Sequence, residues 1–115
     1  MTVVLLGRDL IIASRIAAAA ERAGVPYMRV GDPADLPPPG ETRLLLVDWA
    51  DRGPDWGELI TAWCASAPES ALPRILLFGP HVDLDAHAAA RAASLGPMRA
   101  RSKLVADLPT LFNYT

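Results

Sequence analysis

Three short runs of uninterrupted apolar residues limit what this chain can become: Val3-Val4-Leu5-Leu6, Leu44-Leu45-Leu46-Val47 and Ile75-Leu76-Leu77-Phe78. A strand that is apolar on every residue needs cover on both of its faces. That arrangement belongs to parallel sheets enclosed by helices. The segments between the runs carry helical spacing instead. Ile12, Ile16, Ala19, Ala20 and Ala23 share one helix face, bounded by a capping acid at Asp9 and a stop at Gly24. Asp55 and Glu58 form a capping-box-like pair ahead of Leu59, Ile60, Trp63 and Ala67. Asp83 caps a third helix whose stripe is read as Leu84, Ala88, Ala92 and Leu95.

Two weaker strands complete the pattern, Pro26–Val30 and Met98–Arg101. Pro37-Pro38-Pro39 interrupts the stretch where a second helix would otherwise stand, because proline lacks the donor and clashes with the preceding turn. The tail carries Leu104, Leu108 and Leu111 at helical spacing around Pro109. Its helix is expected either to begin near Asp107 or to kink at the proline. The expectation is a single α/β domain over residues 1–115, with a doubly wound, five-stranded parallel sheet in the order 2-1-3-4-5, helices on both faces, and helix 2 reduced or absent.

Charge and cysteine content narrow the function classes. A formal net charge of −2 argues against a general nucleic-acid binder, which shows a basic stripe. One cysteine, Cys64, can form no internal disulfide, so an oxidising compartment is not required. No secretory signal is read at the N-terminus, where Arg8 and Asp9 cut the apolar run, and no segment has the length of a membrane helix. A cytoplasmic protein is expected, with no membrane role and no cofactor.

In sheets of this kind the functional crevice lies beyond the carboxyl ends of the strands. The sequence delivers Gly7, Arg8 and Asp9 there from strand one, and Asp48 and Trp49 from strand three. Strand four brings Gly79, Pro80 and His81, and strand five brings Arg101 and Ser102. Asp48 closes a buried strand, and a desolvated carboxylate needs a partner. Arg8 and Arg101 are the cations this topology can supply, so an ion pair between Asp48 and one of them is expected.

These residues resemble the receiver domains of bacterial response regulators, the CheY-like superfamily, in a degenerate, pseudo-receiver form. Val4–Asp9 sits where receivers have a strand followed by acids. Leu44–Asp48 looks like the strand that ends on the phospho-accepting aspartate. Gly79 falls on the switch threonine or serine, and Arg101-Ser102 on a lysine–proline pair. The departures are as informative as the matches. Gly7 and Arg8 stand where acids would hold Mg²⁺, the switch hydroxyl is missing, and arginine replaces lysine. The degenerate phosphoacceptor site is thus Asp48, Arg8, Asp9, Gly79 and Arg101. The resemblance implies a phosphorylation-independent module of signal transduction, with no catalysis, that binds an unidentified protein partner or a second copy of itself. The surface implied is the helix 4–strand 5–helix 5 face, on which Arg99, Arg101 and Lys103 form a locally basic segment.

Other readings stay open beside this one. In one, Asp48 accepts phosphate in a working receiver; in another, the fold is a small flavodoxin-like enzyme or ligand binder using Asp48, Arg8 and His81. Trp49 and Trp56 flank the crevice and offer rings for stacking, although tryptophans at such positions commonly complete a core. His81, Asp83 and His87 are weak metal candidates, since Asp83 already has a capping role. No glycine-rich phosphate loop follows strand one.

Overall fold

A computed structural model describes residues 1–114. Five strands, β1 (Thr2–Leu6), β2 (Tyr27–Val30), β3 (Thr42–Asp48), β4 (Arg74–Gly79) and β5 (Met98–Ala100), form one all-parallel sheet in the order β2-β1-β3-β4-β5. Four helices cover it: α1 (Leu10–Ala23), α2 (Trp56–Ala65), α3 (Leu84–Ala92) and α4 (Arg101–Tyr114). This is a flavodoxin-like arrangement. Between β2 and β3 there are only two short 3₁₀ turns, Pro33–Asp35 and Pro39–Glu41, as the proline run requires.

The strand period of two sorts the apolar runs into two cores. Val3 and Leu5 of β1, Leu44 and Leu46 of β3 and Phe78 of β4 face α1 and α4, meeting Ile12, Ile16, Leu104 and Leu108. Val4, Leu6, Leu45, Val47 and Leu77 face the other way, onto Trp49, Trp56, Ile60, Ala86 and Ala90. Every one of these strand residues is fully buried. Burying a side chain of this size stabilises by roughly 1.5–3 kcal/mol, so the three apolar runs dominate the fold's energetics.

The helices depart from their sequence readings in instructive ways. Asp9 caps α1 through its Oδ1, which accepts from the Ile11 and Ile12 amides, and Gly24 ends the helix at φ 69°. Ala23, placed on the apolar face, is exposed. In α2 Asp55 occupies the N-cap but makes no side-chain cap bond, so the expected capping box does not form. Leu59 is 42% exposed, and Ala67 lies past the helix end. In α3 the expected stripe is rotated. The buried residues are Ala86 and Ala90, while Leu84, Ala88 and Ala92 face outward. On the buried face the Trp49 indole donates its Nε1–H to the Ala86 carbonyl at 3.0 Å and packs in the same cluster as Ala86 and Ala90. The last helix begins at Arg101, six residues before Asp107, and runs on through Pro109. Pro109 is exposed, and because it lacks an N–H the Val105 carbonyl goes without the helix hydrogen bond it would have received.

Candidate functional site

The same period of two decides where the acid at the end of β3 emerges. Residues 44 and 46 face the α1/α4 layer, so Asp48 faces it too. Its register neighbour on β1, one step beyond the Leu6–Val47 pair, is Gly7. A Cβ on Gly7 would stand 2.8 Å from the Asp48 Cβ, so this position takes no side chain while β1 and β3 keep their spacing. An acid at Gly7, as the receiver comparison would place there, does not fit.

Asp48 is fully buried. Its carboxylate accepts from Arg101 Nη2 at 3.2 Å and 3.4 Å and from the Ala50 amide at 3.3 Å. The second arm of the same guanidinium, Nη1, donates to Asp9 Oδ2 at 3.1 Å. Arg101 is therefore a bridge between two carboxylates. It reaches them because α4 packs on α1 and both helices begin at the carboxyl edge of the sheet, so the first residue of α4 meets the cap residue of α1. Burial raises the Asp48 pKa above its ordinary value. The Arg101 charge opposes that rise, Asp51 adds to it, and the Ala50 and Arg101 hydrogen bonds oppose it.

Arg8, the other cation expected to pair with Asp48, is turned away. Its Nε donates to the Gly31 carbonyl at 3.2 Å, toward the β2 edge, and its backbone amide donates to Asp51 Oδ2 at 2.8 Å. Asp51 was not singled out from sequence, although a second acid three residues past Asp48 was there to be read. Arg29, likewise unremarked, donates from the edge strand to the Gly7 carbonyl at 3.0 Å.

Gly79 belongs to the opposite layer. A side chain there would meet Met98 Sδ at 2.9 Å, on the α2/α3 side of the sheet, with the Ala50 amide 3.6 Å away. The tryptophans are core: Trp49 is 2% and Trp56 3% exposed. A cleft of about 300 Å³ borders Trp49, Arg52, Gly57 and Ala93, but the Arg52 guanidinium lies 5.5 Å over the Trp49 ring and donates to the Trp49 carbonyl. The ring thus offers no open face for stacking.

Two of the three weak metal candidates, Asp83 and His87, have other partners. Asp83 accepts from the Ala86 amide at 3.0 Å as the cap of α3, and His87 Nε2 lies 2.7 Å from the His81 carbonyl. Among the described residues no group of three or more His, Cys, Asp or Glu side chains is placed to hold a metal ion. A divalent cation does not fit at Asp48 either, since a guanidinium stands between the two carboxylates that would ligate it. On the α3–β5–α4 face, Arg99 and Lys103 both pair with Asp107, at 3.3 Å and 3.2 Å, which offsets part of the local positive charge. Arg101 points inward to its carboxylates, away from that face. No described helix is long and apolar enough to cross a membrane.

No family model, curated protein or solved structure matches this chain.

Proposed function

We propose that this chain is a regulatory binding domain, resembling a degenerate response-regulator receiver, that acts independently of phosphorylation. One observation carries the reading. Asp48, buried at the end of the central strand, is held by an arginine that also engages Asp9. A guanidinium is a permanent cation with fork geometry suited to carboxylates. It supplies from within the chain the positive charge that a bound metal supplies in a working receiver, and it stands between the two carboxylates that would hold that metal. The site is thus locked in one charge-neutralised state, and regulation passes through contact with a protein partner. The α3–β5–α4 face, with Arg99 and Lys103, is the surface assigned to that contact, and the partner is either another protein or a second copy of this chain.

The test is incubation with acetyl phosphate, with and without Mg²⁺, followed by intact-mass measurement. No mass gain at Asp48 in the folded protein supports the locked site. Metal-dependent labelling that Asp48→Asn abolishes would replace it with a working receiver. Sedimentation velocity then separates a self-associating module from one that needs a different partner.

A further inference from the structure

A cavity of about 630 Å³ opens between the first turns of α1 and α4, lined by Ile11, Ile12 and Arg15 on one side and Arg101, Ser102 and Val105 on the other. Its volume lies within the range of about 300–1,000 Å³ typical of small-molecule sites. It opens at the carboxyl edge of the sheet, where ligands of open α/β folds bind. Its walls are mainly apolar, and Ile11 at the lip is 74% exposed, a large apolar side chain left in water beside an unfilled hollow.

The charges around it are unequal in what they have left to offer. Asp9 already caps α1 and pairs with Arg101, while the two terminal nitrogens of Arg101 are engaged by Asp9 and Asp48. The donors left open are the exposed Arg15 guanidinium, which makes no hydrogen bond or ion pair among the described residues, and the Ser102 hydroxyl; Arg101 Nε also lacks an acceptor but is closed off from solvent. An unpaired guanidinium on a mainly apolar wall matches a ligand with one anionic group and an apolar body. Its one lining carboxylate, Asp9, already accepts from Arg101 and from the α1 amides, while the Arg15 charge is unanswered, which favours an anion over a cation.

We propose that this cavity binds a small amphipathic monoanion, a carboxylate on a short alkyl chain or ring, with the carboxylate on Arg15 and the apolar body along Ile11, Ile12 and Val105. The inference stands apart from the receiver-like reading. It needs neither a locked Asp48 nor a protein partner, and it survives if Asp48 proves phosphorylatable.

Octanoate is the probe, titrated into the ¹⁵N-labelled protein and followed by amide chemical shifts. Saturable shifts clustered at Ile11, Arg15, Ser102 and Val105 are expected. Octanol, with the same apolar body and no charge, is expected to bind about tenfold more weakly, the ratio a charge-assisted hydrogen bond supplies. Arg15→Gln should weaken octanoate by a similar factor and leave octanol unchanged. Ala106→Trp, at an exposed lining position, should fill the hollow and abolish the shifts of both. Far-UV circular dichroism and the amide spectrum check that each variant is folded. Absence of saturable shifts up to about 10 mM, well above the Kd of even a weak specific site, would overturn the proposal. So would equal binding of octanol and octanoate, or octanoate binding that both Arg15→Gln and Ala106→Trp leave intact.

Discussion

Replacing Arg101 with methionine keeps a long side chain at the start of α4 and removes the one cation that touches Asp48 among the described residues. Breaking a fully buried ion pair from one side costs about 3–5 kcal/mol, because the remaining charge is stranded. Here only the carboxylate is fully buried. The Arg101 side chain is 41% exposed, so water already screens part of the attraction, and the expected loss near neutral pH falls to about 2–3 kcal/mol. The loss must also depend on pH. Burial holds the folded-state pKa of Asp48 above the ordinary 3.8, so the folded protein takes up a proton more readily than the unfolded chain. Stability contributed by that proton is full below 3.8 and is lost as pH rises through the raised folded value. Without Arg101 its charge and its hydrogen bond no longer oppose the rise, leaving only the Ala50 amide to do so, and the window in which acid rescues the protein extends upward. Urea unfolding of wild type and R101M at about pH 7 and about pH 4.5 tests this, with the deficit expected to shrink by half or more at the lower pH. The double variant D48N/R101M, which carries no stranded charge, should recover most of the loss at neutral pH. A deficit below about 0.5 kcal/mol near pH 7, the level of an ordinary surface substitution, would refute the reasoning. A deficit that is the same at both pH values and persists in D48N/R101M would refute it as well.

Three further outcomes follow from local geometry. Gly7→Ala drives a methyl group to within 2.8 Å of the Asp48 Cβ and should cost about 1–3 kcal/mol by thermal unfolding, as overpacked positions do. Tyr27, whose pKa is raised by burial against the opposing charge of Arg29, should titrate above 10.0 in the tyrosinate absorbance, and Tyr27→Phe should remove that component. Because the Tyr27 value is raised on folding, the stability it carries is present below 10.0 and lost as pH climbs through the folded value. Asp83→Ala removes the cap of α3 and should cost about 1 kcal/mol in urea unfolding, with no change when Zn²⁺ or a chelator is added.

The layout of the sheet was legible because its signal is local. Runs such as Leu44–Val47 declare a strand buried on both faces, and the prolines at 37–39 declare a missing helix, without reference to anything distant. Helix faces were less legible where one large side chain controlled the packing. Nothing in residues 84–92 themselves says that the Trp49 indole will pack beside Ala86 while Leu84 faces outward. At Pro109 one of the two expectations fails: the helix starts at Arg101 rather than near Asp107 and spans the proline, held by the packing of Leu104, Leu108, Leu111 and Phe112.

By itself the sequence determined that Asp48 would end a buried strand, that Asp9 and Gly24 would bound the first helix, and that a cation would be needed beside the buried acid. Each of these follows from the chemistry of a residue and its immediate neighbours. Only the tertiary structure decided that the cation is Arg101, 53 residues away in sequence, and that Arg8 from the adjacent strand turns toward Gly31. It alone decided that Gly7 must stay bare and that the first turns of α1 and α4 enclose a hollow beside an unpaired arginine. The physical reason is common to all of these. They depend on which face of the sheet an element packs against and how closely two distant segments approach, and those distances are set only when the whole core is assembled.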